Sequence, residues 1–409
     1  MKFSFLILIS ASLVSNRCTR SISYTEGAIN VFSFGAKGNG KDDDTHSIRS
    51  AMEFIKNKGH GTVFFPAGVY LIKENGSRSG ILQLFNEVSL KGEGADRSII
   101  KLSGDRFNPP SLFYQAWRNE PAINNIIVEG LTFDGNITKQ KFDRDYQFCH
   151  ALSVNNGRNI EVKNCKFQNF RGDGLLFGDT DLPYLNARIT RNVKVHHNEF
   201  VNIYREGIMF CCIDTAYFHH NTLSGNGYLV GGVDIERHSM NEQVTHVFVY
   251  ENVFDFRNGI GPIERGALSK FRRGISLGFF YKGYQDGIVD SLSGGHSIYS
   301  NTIYEGQIDC YGHINVDIRN NKIINVKKEL LKIAYVSPYA INVSDPHKTS
   351  DLKNITIVGN SINSQYTDYA IRIHRYKNVK VTKNRLARSR YGTIELVDAK
   401  AIIKDNVIH

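Results

Sequence analysis

Short stretches in which apolar and polar residues alternate recur along most of the chain. In eight of them, two apolar residues at alternate positions are followed by two further residues and then an asparagine, as in HVFVYEN. Such alternation is typical of β-strands. The shortest step between two of these asparagines is 20 residues, so the pattern predicts a repeat of roughly 20–24 residues with occasional loop insertions. The eight are Asn198, Asn221, Asn252, Asn301, Asn321, Asn360, Asn384 and Asn406.

A second strand pattern precedes these segments, as in GGVDIER at 231–237. Two strands and a short third segment in each repeat predict one coil of a parallel β-helix, in which strands of successive coils pair. The repeated asparagine is expected to take the left-handed turn conformation and to bond its stacked neighbours through its side-chain amide. Further copies of the second pattern lie at 150–154, 173–178, 206–211, 273–278, 306–312, 330–336, 369–375 and 391–397.

The N-terminal region has a helical pattern instead. Ile48, Ala51, Met52 and Ile55 are spaced i, i+3, i+4 and i+7, directly after the acidic run at 42–44. This arrangement predicts a short amphipathic helix whose first turn is capped by the acidic run. We expect the helix to close the end of the solenoid, and we favour this capping role over a metal-binding or catalytic role for the acidic run.

The length of the chain suggests several domains, but the repeats point to one elongated domain. The chain has 409 residues, of which 41% are hydrophobic, a composition typical of folded proteins. A compact core rarely exceeds about 250–300 residues, which suggests two or three domains. A solenoid grows in one dimension and escapes that limit. We therefore expect an approximate signal peptide at 1–22, an N-terminal cap and first coil at 23–72, and a parallel β-helix with inserted loops at 73–409.

The first residues and the net charge narrow the class of partner. Met1-Lys2 precedes an apolar run at 3–14, which is typical of a secretory signal peptide and too short to span a bilayer. The protein is therefore predicted to be secreted, periplasmic or held at the cell surface, without a membrane span. Its formal charge of +10 favours an acidic partner. Because exported proteins seldom meet nucleic acid, we expect a polysaccharide and no nucleic acid.

The cysteines do not indicate a metal site or a disulfide framework. Their number after removal of a signal peptide is odd, and no spacing is typical of zinc ligands. We expect buried thiols and no metal site. The five are Cys149, Cys165, Cys211, Cys212 and Cys310.

Two motifs near the N-terminus carry a family resemblance. FGAKGNGKDDDT at 34–45 and GTVFFPAGVYLI at 61–72 resemble the opening of the pectate-lyase-like β-helix superfamily, in the branch of rhamnogalacturonases and epimerase-like proteins. The resemblance covers 30–72 by motif and the rest by coil pattern. It implies an all-β fold, a single right-handed parallel β-helix solenoid with a short N-terminal capping helix. Members include lyases, hydrolases, epimerases and phage tailspikes, and the polygalacturonase motif set does not occur in order here.

Ionisable residues gather at outward positions of the first strand of neighbouring coils. Stacked coils are about 4.8 Å apart, so these residues are expected to share one face of the solenoid. Loops that surround a rigid face form a cleft, where function usually lies. The residues are His150, Asp173, Glu206, Asp234, Glu236 and Arg273. The flanking insertions are 179–190, 237–245, 254–272, 279–295 and 335–352.

Paired carboxylates favour glycoside hydrolysis. One carboxylic acid protonates the leaving oxygen while another carboxylate activates water or attacks carbon, and neighbouring acids acquire different pKa values. We expect Glu206 as the acid, Asp234 or Glu236 as the base, and Asp173 either as a further catalytic residue or as a turn residue. The grouping also resembles tailspike-type hydrolases. No cofactor is required. Substrate-binding candidates are His150, Arg205, His238, Arg273, Asp309, Tyr311 and Lys332.

Two alternatives remain open. A polysaccharide lyase or C5-epimerase needs a base that abstracts the proton next to a uronate carboxylate, and a cation or arginine that neutralises it. Candidates are Arg205, His238, Arg273 and Lys332, and calcium is expected only under this hypothesis. A non-catalytic carbohydrate-binding β-helix instead predicts that the acids are dispersed or neutralised by basic residues, without a cleft.

Histidine pairs form a further pattern. His196-His197 and His219-His220 occupy matching positions of two coils, and Tyr250 and Tyr299 follow on later coils. A metal site is one hypothesis, because histidine is a common ligand. We favour a stack of surface imidazoles or an aromatic strip that contacts sugar rings.

Overall fold

The structure is a computed structural model that describes residues 28–73, 80–115, 121–143, 146–178, 188–225, 231–238, 242–258, 273–279, 292–326, 338–345 and 353–409. Within these ranges the long-range strand pairs are parallel and form three sheets. Successive strands along the chain alternate between the sheets, so a coil contributes a strand to each. The all-β, parallel fold is confirmed. The right-handed sense of the coil and the signal peptide at 1–22 stay predictions.

Sheet one contains the strands that end at the repeated asparagines. Its inward side chains, such as Val195, Phe218 and Val249, pair across neighbouring coils and are fully buried. The alternation read from the sequence therefore places every second residue in the core. The strands of sheet one are Ala28–Asn30, Gly61–Phe65, Val88–Gly92, Ile123–Glu129, Gly157–Lys163, Thr190–His196, Ile213–His219, Val244–Tyr250, Ser293–Gly294, Ser297–Tyr299, Val316–Arg319, Lys353–Val358, Lys377–Thr382 and Ala401–Lys404.

Sheet two contains the short third segment of each coil. Phe133, Phe167 and Phe200 stack in its interior with ring centroids 5.1 and 5.0 Å apart. Such stacking buries large apolar surfaces and continues from coil to coil. The strands of sheet two are Asn39–Asp43, Gly68–Ile72, Ser98–Leu102, Thr132–Asp134, Lys166–Gln168, Glu199–Val201, Thr222–Ser224, Val253–Asp255, Thr302–Tyr304, Lys322–Ile324, Ser361–Asn363, Arg385–Leu386 and Val407–Ile408.

Sheet three contains the strands predicted to carry the functional residues. Inward residues such as Ile208, Val233 and Ile275 lie on successive strands and are fully buried. The strands of sheet three are Leu82–Gln83, Phe113–Tyr114, Leu152–Val154, Leu175–Phe177, Glu206–Phe210, Gly231–Arg237, Arg273–Phe279, Gln307–Tyr311, Tyr339–Ser344, Tyr369–His374 and Gly392–Val397.

One predicted strand of sheet three is wrong. The strand between Gln307–Tyr311 and Tyr369–His374 is Tyr339–Ser344, not 330–336. Both segments alternate, but the observed one places Ile341 and Val343 in the core beside their counterparts on the neighbouring coils. Asn342 therefore follows Asp309 across the sheet, where Lys332 was expected. Lys332 lies outside the described residues.

The asparagine ladder comprises the eight repeated asparagines between sheets one and two. The side-chain amide of Asn252 donates to Asn301 Oδ1 at 3.0 Å and to the Phe218 carbonyl at 2.9 Å. Its own Oδ1 accepts from the backbone and side-chain amides of Asn221 at 2.9 and 3.1 Å. The predicted stacking is confirmed. The left-handed residue is the one before each asparagine, such as His220 at φ 53°, because the asparagine side chain must point along the solenoid to reach both neighbours.

Helix α1, Thr45–Lys58, packs against the first strands of sheet one. Its predicted apolar face is buried. Asp43, rather than Asp44, caps the first turn, since its Oδ1 accepts from the Thr45 N–H at 3.0 Å. Asp44 instead accepts from the backbone N–H groups of Lys37 and Gly38. Short 3-10 helices span Val31–Phe34 and Ile137–Lys139.

The cysteines and the helices bear on two further predictions. The five cysteines predicted to be buried thiols are buried, and none of them forms a disulfide among the described residues. In the ranges that the structure describes, no helix is long and apolar enough to cross a membrane.

Candidate active site

A row of outward positions crosses the middle of sheet three. The register predicted from the sequence is the observed one, apart from the coil that contributes Asn342. Polar residues dominate the row from its centre onward. In order, the paired positions are Ser153, Leu176, Met209, Asp234, Ser276, Asp309, Asn342, Arg372 and Glu395.

Three carboxyl groups meet near the centre of this row, and we call Glu206, Asp234 and Glu236 the acid patch. Glu206 pairs with Gly231 on the next coil. A side chain at Gly231 would overlap the Glu206 carboxylate. Glycine therefore allows the Glu206 side chain to cross onto the coil that carries Asp234 and Glu236.

The next coil leaves space beside the acid patch. A Cβ atom at Gly278 would lie 3.9 Å from both Asp234 Oδ1 and Glu236 Cγ, which is ordinary contact distance. Because glycine has no side chain, this position is open. Ser276 is likewise small and pairs with Asp234.

The three acids of the patch differ in protonation. Burial, together with the charges of Asp234 and Asp173, raises the pKa of Glu206 well above its usual value. Burial and the neighbouring Glu236 charge raise the pKa of Asp234 to about 7. Burial would also raise the pKa of Glu236, but His238 and two guanidinium groups lower it below its usual value. The surroundings of the patch therefore favour the protonated form of Glu206 and the ionised form of Glu236.

Asp173 lies on the coil before Glu206 and is fully buried. Its Oδ2 is 3.3 Å from His150 Nδ1 and 3.5 Å from an Arg205 nitrogen, and its Oδ1 accepts from the Glu206 N–H at 3.2 Å. Burial would raise the pKa of Asp173, but Arg205 and His150 lower it. Asp173 thus links His150 and Arg205 to the entry of the Glu206 strand, and this contact set favours an anchoring role.

A second cluster surrounds Asp309. Its Oδ1 accepts from Tyr311 Oη and from Asn342 Nδ2, each at 3.2 Å. Gln307 Nε2 also donates to its other oxygen, and Arg273 Nε lies 4.0 Å from that oxygen. Burial raises the pKa of Asp309 to about 6. The structure therefore brings together three predicted substrate-binding residues, with Asn342 and Gln307 as members that sequence reasoning missed.

Several polar atoms of the site lack partners. Glu206 Oε2, Asp234 Oδ1 and Ser276 Oγ are buried and have no hydrogen-bond partner among the described residues. Buried polar groups are normally paired, so such atoms in one place indicate a surface that receives a ligand. In the sequence, these positions are identified only by their outward-facing place in the repeated strands.

The loops predicted to rim the cleft fall largely outside the described residues. The positions concerned are 179–187, 239–241, 259–272, 280–291, 335–337 and 346–352. The middle of the predicted insertion 335–352 is instead the strand Tyr339–Ser344 of sheet three.

The histidine pairs lie on sheet one and not at the acid patch. His196, His219, Tyr250 and Tyr299 stack with centroids 4.9, 4.7 and 4.7 Å apart. Arg319 covers the exposed face of Tyr299 at 4.5 Å. The ring faces are thus covered by one another, and the strip presents ring edges to solvent, which favours a structural stack over sugar binding. Within the described ranges, no group of three or more His, Cys, Asp or Glu side chains has the arrangement of a metal site.

Comparison with known families agrees with the fold and the motifs. The family model "Rhamnogalacturonase A/epimerase, pectate lyase-like" matches residues 28–246. The chain belongs to this family. The resemblance inferred from the two N-terminal motifs is confirmed.

Several proteins that are similar to this chain are named for reactions on polysaccharides. A mannuronan C5-epimerase of Azotobacter vinelandii is 28% identical over 158 residues, which are 38% of this chain and 11% of the relative. Alginate lyase 7 of the same organism is 31% identical over 134 residues, 32% of this chain and 16% of the relative. The chain thus spans a small part of these relatives. An exopolygalacturonase of Thermotoga maritima shares the fold with a TM-score of 0.61 and 13% identity, over 94% of this chain and 92% of that one. A polysaccharide-acting enzyme is therefore supported.

Proposed function

We propose that the chain is a glycoside hydrolase that cleaves a polysaccharide at the acid patch. The observation that carries this proposal is the grouping of Glu206, Asp234 and Glu236 on adjacent coils, where Gly231 leaves room for the Glu206 side chain to cross toward the other two acids. Their surroundings also shift the pKa values of Glu206 and Glu236 in opposite directions. Hydrolysis requires one protonated and one ionised carboxyl group on either side of the scissile bond. Burial and neighbouring charges produce that difference here without a cofactor.

In the proposed reaction Glu206 donates its proton to the leaving glycosidic oxygen. Glu236 acts from the other side, as the base that activates water or as the nucleophile. Asp234 lies between Glu206 and Glu236 along the chain. Because its pKa is raised, Asp234 can also hold a proton that is exchanged between Glu206 and Glu236. Arg205 and Arg273 counter the charge that remains on the acids. Each step thus uses side chains of this chain.

Substrate contacts are proposed along the same face. Asp309, Tyr311 and Arg273 form the cluster next to the patch, with Asn342 behind them. Their mixed donors and acceptors suit sugar hydroxyl groups. The predicted secretion of the protein would bring this face into contact with extracellular polysaccharide.

The second candidate is β-elimination or C5-epimerisation of a uronate polymer, and it is favoured by the sequence relatives. It requires a neutral or anionic base. Burial lowers the pKa of His238, but its contacts with Cys211, Glu236 and Glu242 raise it, which favours the imidazolium over a neutral base. Acidic neighbours likewise keep Arg205 and Arg273 protonated. These charges favour hydrolysis over proton abstraction by the predicted bases. No calcium step is included.

The third hypothesis, a carbohydrate-binding β-helix without activity, predicts acids that are dispersed or neutralised. The patch instead groups three acids, and the cations Arg205, Arg273 and His238 beside them lower the pKa of Glu236 while that of Glu206 stays raised. This grouping favours an enzyme.

Product analysis separates these functions. The purified protein is incubated with alginate, polygalacturonate and neutral polysaccharides, and new reducing ends and unsaturated products are measured. We expect reducing ends without unsaturated products, and none with the Glu206→Gln variant. Unsaturated products would contradict hydrolysis and support elimination. A changed ratio of uronate epimers without cleavage would support epimerisation.

A further inference from the structure

A buried carboxylate lies behind the acid patch, on the other side of His238. The imidazole Nε2 is 3.3 Å from Glu236 Oε2, and the Nδ1 is 3.7 Å from Glu242 Oε2. The His238 backbone N–H donates to the same Glu242 oxygen at 2.6 Å. The exposed fraction of these side chains falls from 23% for His238 to 1% for Glu242. The three groups therefore connect the protein interior to the patch.

The charge of Glu242 needs an explanation, because burying a carboxylate is costly unless it is compensated. Its Oε1 has no hydrogen-bond partner in the part of the chain that is described. Its Oε2 faces His238, which can compensate the charge only as an imidazolium. A protein that needed merely to anchor the His238 backbone could use a neutral acceptor at this position.

The remaining neighbour of the imidazole is the thiol of Cys211, on the preceding coil. Burial raises the pKa of this thiol to about 12, so it is neutral at neutral pH. Among the described residues, the charges that face His238 are then the two carboxylates, one from the strand Gly231–Arg237 and one from the segment after it. They hold a proton on the imidazole from opposite sides.

We propose that Glu242 and His238 are positioning residues that keep Glu236 ionised and oriented for its role in hydrolysis. Glu242 stabilises the imidazolium, and the imidazolium in turn stabilises the Glu236 carboxylate. This inference rests on the proposed function of the acid patch. It changes the expected role of His238 from substrate binding to support of the base.

The decisive variant is Glu242→Gln, because glutamine can still accept the His238 N–H bond but carries no charge. We expect the acidic limb of the kcat/KM profile to move upward by about one pH unit, with KM and the thermal midpoint nearly unchanged. Glu242→Asp is expected to restore most of the wild-type profile. The matched control is Glu251→Gln, which removes an exposed carboxylate 3.2 Å from His220 and should leave the profile unchanged.

A second measurement does not depend on activity. The ring carbon of His238 is followed by NMR in protein labelled at histidine, and its resonance is assigned by its loss in His238→Gln. We expect His238 to stay protonated between about pH 5 and 8 in the wild type, and to titrate within that range in Glu242→Gln.

The pH profile of kcat/KM and the His238 titration test different parts of the proposal. An unchanged His238 titration in Glu242→Gln would overturn the link between Glu242 and His238. A shifted titration with an unchanged acidic limb would overturn the role of this link in catalysis. Absence of hydrolysis by the wild-type protein would overturn the proposed function, and with it the positioning role.

Discussion

The asparagine ladder and the acid patch are two sets of buried polar side chains carried by the same coils. In the ladder, the amide of Asn252 donates to Asn301 and to a carbonyl, and its oxygen accepts from Asn221. In the patch, Glu206 and Asp234 each bury an oxygen that has no hydrogen-bond partner among the described residues. Both sets are thus buried, but only in the ladder do these buried polar atoms have hydrogen-bond partners in the described part of the chain.

This difference indicates different roles. A fully paired buried network strengthens the fold and fixes the register of the coils. Unpaired buried acids cost stability, and such local costs are found mainly at functional sites. We therefore expect changes in the ladder to affect stability and changes in the patch to affect activity.

The largest expected effect is the loss of activity in Glu206→Gln. Removal of the acid should lower kcat by about 10²–10⁴-fold, the usual contribution of a general acid, while the unfolding midpoint stays the same or rises. Initial rates on the cleaved polysaccharide measure the effect.

The matched control is Glu199→Gln, an exposed residue of sheet two that pairs with Lys166. It should keep full activity, because surface ion pairs contribute little. If Glu206→Gln retained wild-type kcat, Glu206 would not be the acid.

The next effect is a loss of stability in Asn252→Ala. The change removes the acceptor of the Asn221 backbone and side-chain amides and the donor to the Phe218 carbonyl. Asn301 Oδ1 keeps only the Asn252 backbone N–H. We expect destabilisation by about 3 kcal/mol. Denaturant unfolding followed by circular dichroism measures it. Asn86→Ala removes exposed hydrogen bonds to Asn124 and serves as control, with an effect below about 1 kcal/mol. Equal midpoints for both variants would contradict a stabilising role of the ladder.

The smallest effect concerns the pH dependence of stability through Asp234. Burial raises its pKa in the folded state to about 7, so the folded protein binds this proton more tightly than the unfolded chain. Stability from this group is present at acidic pH and falls as the pH rises from about 4 to 7. Asp234→Asn should therefore stabilise the protein at alkaline pH but not near pH 4.

Unfolding curves at both pH values test this prediction. Asp398→Asn is the control, since its side chain is 74% exposed and should change stability little at either pH. A stabilisation by Asp234→Asn that was equal at both pH values would show that the charge of Asp234 is not its cause.

Much of the fold followed from local pattern, because each coil repeats the same alternation. The spacing from Asn198 to Asn406 located the strands of sheet one, and the apolar face of α1 was correct in each predicted residue. The pattern failed at 330–336, where two neighbouring segments alternate equally well. Only pairing with Gln307–Tyr311 and Tyr369–His374 selects Tyr339–Ser344.

The candidate site could be predicted only where it follows the register of the coils. Glu206, Asp234 and Glu236 occupy outward positions that counting along the repeat identifies. Glu242 lies in an insertion and carries no periodic signal, and its contact with His238 depends on how that segment folds back. The same holds for the stacked rings His196, His219, Tyr250 and Tyr299. Their common face of the solenoid could be predicted, but not that the rings cover one another's faces.

The repeat, the parallel pairing of coils and the acids that share one face follow from the sequence, because all three depend on spacing along the chain. The opposite shifts in the pKa values of Glu206 and Glu236 follow only from the folded structure. Protonation depends on burial and on charges brought from other coils, and here Gly231 allows Glu206 to reach Asp234 while His238 faces Glu236. Such distances arise only when the coils are stacked.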